Sequence, residues 1–424
     1  MATIASPAPA KTRVRTLSGI RIPLWAAVVC SRLLVLAAGA FGELMYGRVA
    51  GWSQFDPTRL TTSLGSVGDA LIATSVRWDS LHFLGVAQHG YGTTGDPDFY
   101  PFYPLLIHVV SWFVGSDVIA GLLISAAAFA IALVLVHRLA REELGDQAAN
   151  AIVLLLAFAP LSFFYTAIYS EGLNLALAVG TFYLARQGRF RLACLAAACA
   201  ALTHVEGVLL TAPLAMFYWE KHRGPGFALR RLISWDLAAL MLPAFALLGY
   251  AFYMHTLHAG WFAPILGRPS VSHSNQPVMF LRTVSGPAVT FWRALVAALQ
   301  GLRLSFEGHR LVAPATGAVF SLGFQNVFDF LILVISIAAL VGAWRRLPKP
   351  YAVYAGLVIL LYASSVVATI PLLAFDRYML PVFPLWMSAG AWLRERRLMP
   401  FALEISVLLL ILFAVETGRW AAIA

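Results

Sequence analysis

Asp117–Arg141 reads DVIAGLLISAAAFAIALVLVHRLAR: nineteen residues, Val118–Val136, pass without an ionisable group, and Arg138 and Arg141 follow within one helical turn of each other. At 1.5 Å per residue a helix of that length covers about 28 Å, close to the thickness of a bilayer's hydrocarbon core. The stretch is apolar on every side, so a helix built from it has no polar face to turn to water. A membrane span that ends on a basic cytoplasmic loop accounts for both features.

The pattern repeats in both directions along the 424 residues. Apolar runs fall near 22–41, 118–138, 149–168, 172–186, 191–204, 206–220, 236–256, 326–343, 351–370, 379–393 and 400–416. The expectation is an all-α, polytopic transmembrane helical bundle of about ten or eleven spans, with 1–21 as a cytoplasmic tail and 22–424 as one domain. The pairs near 191–220 and the run 379–393 are short for independent spans and call for tilt or local thinning. Charged residues make up 12% of the chain, about half the share in a soluble domain. The apolar run after Lys11, Arg13 and Arg15 is as long as a full span and contains Arg32, so it reads as an uncleaved first helix, not a signal peptide. Arg32 itself then needs a partner or a path for its head to reach water.

Net charge is +10, but the basic residues form short clusters between apolar runs and not a continuous face, which excludes nucleic acid as a partner. Threaded with the N-terminus inside, the inner segments hold nineteen Lys and Arg and the much longer outer ones hold ten, so the positive-inside rule sets the orientation. The stretch 102–114 opens with Pro101-Phe102-Tyr103-Pro104 and is too short to span, so it is assigned to the interface. Counting it as a span would reverse every later loop. Two long outer loops remain, about 42–117 and 257–325, both rich in aromatics and prolines and free of low complexity. Cys30, Cys194 and Cys199 sit inside apolar runs and read as small buried hydrophobes.

With that topology, ionisable groups collect at the outer ends of several spans: Arg77-Trp78-Asp79-Ser80-Leu81-His82, then His89-Gly90-Tyr91, Tyr169-Ser170-Glu171, Thr203-His204-Val205-Glu206-Gly207 and Asp376-Arg377-Tyr378. Charge at membrane depth is costly unless paired, so clusters on one face point to a polar cavity there. Each residue has more than one use. Asp79 presents a carboxylate with His82 on the same helix face, or caps a helix from Ser80, or pairs with Arg77. Glu171 contacts substrate or complements a helix N-terminus. His204 and Glu206 pair with each other or contact a ligand. Arg377 holds an anionic group such as phosphate, or neutralises Asp376. His255 and His258 lack further ligands, and no metal site is expected there. Phosphate-binding P-loops, dinucleotide glycine fingerprints and nucleophile elbows are absent from the sequence.

Arg77-Trp78-Asp79-Ser80 with Phe83, His89-Gly90-Tyr91 and Phe99-Tyr100-Pro101-Phe102-Tyr103-Pro104 resembles the first lumenal loop of the PIG-V family, that of GPI mannosyltransferase 2 and its bacterial relatives. The resemblance continues through Tyr169-Ser170-Glu171, the Thr203–Gly207 turn and Arg377-Tyr378-Met379-Leu380-Pro381-Val382-Phe383-Pro384. It implies a GT-C glycosyltransferase with juxtamembrane helices in the first outer loop. The implied reaction is inverting transfer of a sugar, typically mannose, from a polyprenyl-phosphate donor to a glycolipid, glycan or protein acceptor outside the cytoplasm. Asp79 maps to the family's loop acid and is expected to be the catalytic base. Arg77, Trp78, His82, Tyr91, Tyr100, Tyr103, Glu171, His204, Glu206, Arg377 and Tyr378 are expected to bind substrate. No cofactor is expected, with a divalent metal left open. Two places differ from the family: His204 stands where an Arg usually follows the Thr, and 259–276 lacks the usual Gln-x-x-Trp-x-Arg. The expected location is a membrane, the plasma (inner) membrane if the protein is bacterial, with the N-terminus cytoplasmic and the site outside. A lipid-sugar flippase would show inverted repeats and broken midplane helices, neither of which the sequence displays. A non-catalytic lipid-sugar-binding subunit is the third reading.

Overall fold

A computed structural model of the protein describes residues 23–62, 64–94, 97–222, 234–257, 261, 283–306, 322–367 and 370–421. The tail 1–21, His258 and all of 259–276 except Trp261 lie outside them. The described chain runs α1 (Leu24–Tyr46); α2 (Gly65–Leu71), α3 (Asp79–His89), α4 (Tyr91–Thr94) and α5 (Phe102–Val114) in the first long loop; then α6 (Asp117–Leu144), α7 (Asp146–Ala157), α8 (Glu171–Arg186), α9 (Phe190–Ala201), α10 (Thr211–His222), α11 (Trp235–Ala239) and α12 (Leu242–Thr256). After the second long loop begins come α13 (Pro287–Phe306), α14 (Leu322–Arg346), α15 (Lys349–Tyr362), α16 (Phe375–Tyr378), α17 (Phe383–Glu395) and α18 (Met399–Gly418). One two-residue antiparallel ladder, β1 (Thr283–Val284) against β2 (Ser365–Val366), ties the second loop to the end of α15.

Each of the eleven apolar runs contains a helix, and the chain is an integral membrane helical bundle. How far the helices run differs from expectation. Among the described residues five segments are long and apolar enough to cross a bilayer: α1, α6, α11 with α12, α14 and α18. The runs 149–168, 191–204 and 206–220 yield helices of only 12 residues, 351–370 yields 14, 379–393 yields 13 and 172–186 yields 16. Twelve residues cover about 18 Å, short of a full crossing. The missing lengths lie at one end of the bundle, in 158–170, 202–210, 363–367 and 370–382, where the described chain turns through 3₁₀ segments and short helices. Irregular backbone at membrane depth is tolerated where protein encloses it or a wet cavity adjoins it. Here most of 158–170 and 370–382 is buried in protein.

Arg32 shows how one break is satisfied. Its guanidinium donates to Ser162 O at 2.5 Å, Thr166 Oγ1 at 2.8 Å, and Ala157 O and Ser162 Oγ at 3.0 Å, and it lies 4.4 Å from the Phe129 ring centre. The intramembrane arginine thus serves as the donor for carbonyls that the ended helix α7 no longer bonds.

The opposite end of the bundle is the basic one. Arg186 pairs with Glu143 at 2.9 Å, Arg346 with Glu395 at 2.8 Å and Arg191 with Asp236 at 2.8 Å, all at helix ends joined by short turns. α1 and α18 cross closely because Gly39, Gly42 and Gly418 carry no side chain: a Cβ on Gly42 would lie 2.3 Å from Val415 O. α5 buries Tyr103, Pro104 and Ile107 and leaves Leu105, Val109, Trp112 and Phe113 outward, which suits a helix lying along an interface. α13 was not expected as a helix. It lies along α14, with Gly301 against Gly323 and Phe291 5.4 Å from Phe330.

Candidate active site

The non-helical ends of the short helices, together with α3, bring four of the five sequence clusters to one place. Trp78 adopts φ 53° and ψ −117°, a conformation costing about 1–3 kcal/mol, and this turns the chain so that Asp79 opens α3. Ala374, at φ 61°, does the same just before α16, which carries Arg377. Both key residues therefore follow a left-handed corner directly or within one turn.

Arg377 is the hub. Its Nη1 meets Asp79 Oδ2 at 2.6 Å and its Nε lies 3.1 Å from Glu171 Oε1. Nη2 reaches Tyr378 OH at 3.4 Å, and the guanidinium lies 5.1–5.6 Å from the rings of Tyr378, Tyr169 and Phe164. Burial opposes the charge on Arg377, but Asp79, Tyr378 and Glu171 outweigh it and hold its pKa well above the ordinary value. Glu171 is 4% exposed, whereas Asp79 keeps 29% of its side chain in the open. Tyr169 OH accepts from the Asp79 backbone N–H at 3.2 Å, which fixes the start of α3.

A second cluster adjoins the first through Tyr378, whose ring stacks on Tyr362 at 4.2 Å and meets His204 edge-on at 5.3 Å. His204 and Glu206 are hydrogen-bonded through Nδ1 and Oε2, Tyr362 OH donates to the same oxygen, and Asn174 Nδ2 donates to Oε1 at 2.6 Å. The turn that carries them rests on Gly207, where a Cβ would sit 2.2 Å from the backbone of Ala200 and Ala201.

Several expected substrate contacts lie elsewhere. Arg77 is buried and turned to α1 and α18: it pairs with Glu43 at 2.7 Å, donates to Gly418 O at 3.3 Å and lies over Trp420. Asp79 consequently pairs with Arg377 and not with Arg77. In the core Tyr103 OH donates to Gly121 O at 3.1 Å and shares a hydrogen bond with Ser125 Oγ at 2.6 Å. Tyr91 hydrogen-bonds Phe99 O and packs on Tyr250. All three are buried, and their hydroxyl or guanidinium groups are hydrogen-bonded within the protein. Trp78 packs among Phe55 and Trp420, at the edge of the site. His82 stacks on Phe99 at 4.7 Å, and Tyr100 lies parallel to His204 at 6.3 Å. Asn174 and Tyr362 are the members that sequence reasoning missed. Asn174 lies one helical turn from Glu171 and was open to detection by that spacing, whereas Tyr362 is hidden inside an apolar run. Among the described residues no group of three or more His, Cys, Asp or Glu is placed to hold a metal ion.

Residues 28–220 match the family model described as Mannosyltransferase (PIG-V). The chain is PIG-V-like over that stretch, which takes in Asp79, Glu171, His204 and Glu206. It is 30% identical over 166 residues to GPI alpha-1,6-mannosyltransferase 2 of Rattus norvegicus, covering 35% of this chain and 32% of that protein. The chain thus spans about a third of that relative's length. Among solved structures it is similar to AglB, the oligosaccharyltransferase of Archaeoglobus fulgidus in complex with an inhibitory peptide and a dolichol-phosphate (TM-score 0.43, 15% identity, 94% of this chain and 56% of that one). It is also similar to ArnT of Cupriavidus metallidurans bound to undecaprenyl phosphate (TM-score 0.40, 13% identity, 94% of this chain and 77% of that one).

Proposed function

We propose that this protein is a membrane glycosyltransferase, a mannosyltransferase by its family resemblance, that uses a polyprenyl-phosphate sugar at the non-cytoplasmic face. The observation that carries the proposal is the contact of Asp79 with Arg377 at 2.6 Å, made where the bundle's helices stop short. One half of that pair lies in the stretch matching the family model.

The chemistry needs a base for the acceptor hydroxyl and positive charge for the phosphate that departs. Arg377 bridges Asp79 and Glu171, so the Asp79 carboxylate is occupied by the guanidinium. A donor phosphate competes for the guanidinium, which grips two phosphate oxygens as readily as it grips a carboxylate. As Arg377 turns to the phosphate, Asp79 is released to take the hydroxyl proton. Glu171, buried and behind, keeps Arg377 from leaving the site. Attack on the sugar from the side opposite the phosphate inverts the anomeric carbon in one displacement. Placement at the membrane boundary leaves the prenyl chain in lipid while the sugar meets water. The acceptor is a glycolipid, glycan or protein hydroxyl that reaches the same boundary.

The test is to offer purified protein a panel of labelled polyprenyl-phosphate sugars, mannose first, with wild type and Asp79→Asn compared. Transfer by the wild type and a fall of about 100-fold or more in Asp79→Asn, with donor binding kept, is expected. Near-normal turnover in a folded Asp79→Asn protein removes Asp79 as base. No transfer from any lipid-phosphate sugar removes the glycosyltransferase reading.

A further inference from the structure

Glu206 is 1% exposed, and both of its oxygens are taken by protein: Oε1 by Asn174 at 2.6 Å, Oε2 by His204 Nδ1 and Tyr362 OH. Its burial leaves no oxygen open to a substrate. What it does instead is fix the imidazole of His204. Nδ1 is engaged by Glu206 and lies 3.0 Å from Tyr362 OH, while Tyr100, Tyr362 and Tyr378 wall the ring at 6.3, 6.4 and 5.3 Å. Nε2 makes no hydrogen bond among the described residues, and the side chain keeps 16% exposure. Tyr378, which separates His204 from Arg377, touches both.

We propose that Glu206 is a positioning residue that holds His204 as an imidazolium, so that its Nε2–H joins Arg377 in binding the phosphate that leaves the donor. This deepens the transferase reading and rests on it. In the transfer step the acceptor oxygen bonds the anomeric carbon as the bond from that carbon to the phosphate oxygen breaks. The hydroxyl proton passes to Asp79, and the phosphate leaves with the electron pair and one more negative charge than it carried in the donor. Arg377 offers one cation to that charge; His204 offers a second, on the other side of Tyr378.

The groups facing His204 agree with this role. Burial disfavours its charge, Glu206 and then Glu171 favour it, and Arg377 opposes it; Tyr100, Tyr362 and Tyr378 are the remaining titratable neighbours. His204 lies in the turn between α9 and the 3₁₀ segment Val205–Leu210, and the balance puts its pKa above the ordinary value. A raised histidine pKa keeps the imidazolium to higher pH than an ordinary histidine and loses it as pH climbs past that value.

Two measurements test the proposal. The first is the pH profile of kcat/KM for polyprenyl-phosphate mannose, which in the wild type should fall on the alkaline side. Glu206→Gln keeps the shape but removes the charge, so the alkaline limb should move toward neutral pH by about one unit or more. His204→Arg keeps a cation that does not titrate, so that limb should vanish while transfer persists. The second is nitrogen NMR of histidine-labelled protein without substrate, with His204 assigned by difference from His204→Gln. It should show both ring nitrogens protonated at pH 7.5 in the wild type and not in Glu206→Gln. A neutral His204 ring in the wild type overturns the proposal, and so does an active His204→Arg protein whose alkaline limb is unchanged. If Glu206→Gln fails to fold, those two results still decide. A wild type that transfers nothing from any donor defeats the transferase reading, and this proposal with it; the other outcomes leave that reading standing.

Discussion

Arg377 touches two carboxylates and three aromatic rings, and its geometry matters as much as its charge. Lysine would keep the charge as a single point and lose the planar fork that spans Asp79 and Glu171. Arg377→Lys is therefore expected to lower kcat/KM for the donor by about 10-fold or more, and Arg377→Ala by about 100-fold or more, a loss of one or two factors of ten in transition-state stabilisation. Equal kcat/KM in Arg377→Lys would mean that any cation suffices and that the fork has no role. The sequence marked the residues here but not their partners. It left Asp79 a choice that included Arg77 and left Arg377 a choice that included Asp376, each a near neighbour in the chain. The structure pairs Asp79 with Arg377 across 298 positions, and Asp376 accepts from the Arg377 backbone N–H at 2.7 Å. Local sequence shows which groups are charged; only tertiary packing shows which of them meet.

At the scale of the helix, the site exists because several helices end early. The apolar runs 149–168, 206–220 and 351–370 look continuous by hydropathy, since Phe163, Phe164, Val208 and Val366 are as apolar as any span residue. Hydropathy therefore located the spans and could not locate their ends. Where signals for an ending existed they were small residues and turn formers, such as Pro160, Ser162 and Gly207. Gly207 is the plainest, because its absent side chain lets the 3₁₀ turn press on the end of α9. Gly207→Ala should force that turn away from Ala200 and cost about 1–3 kcal/mol. A lowered Tm in detergent is expected, with a larger loss of transfer than Val208→Ala gives. An unchanged Tm would show that the turn tolerates displacement and does not depend on this contact.

For the whole molecule, the two ends of the bundle differ in kind: one carries arginine clusters joined by short turns, the other carries the broken helices and the acidic–basic site. The positive-inside rule predicts that the arginine end faces the cytoplasm. Thus, in a protein with Cys30, Cys194 and Cys199 replaced, a cysteine at the exposed Ser53 should react with a membrane-impermeant thiol reagent in intact cells, and one at the exposed Gln187 should not. The opposite labelling would put Asp79, Glu171, His204 and Arg377 on the cytoplasmic side and exclude an external acceptor. This bipolar arrangement was legible from loop charges alone, because charge asymmetry is a property of the chain order and does not depend on how the helices pack. The helix α13 was not, since its apolar and polar residues alternate at a period that a search for uniform hydrophobic runs passes over.

Arg77 lies two residues before Asp79, yet one of its acceptors is the carbonyl of Gly418, 341 residues later, and its ring neighbour is Trp420. During synthesis, then, the loop bearing the proposed base enters the membrane early and waits. Until α18 has been made and inserted, the buried guanidinium has Glu43 and nearby carbonyls but lacks its last support. The candidate site is thus completed only after α18 has been made, which delays catalytic competence until the bundle has closed around it.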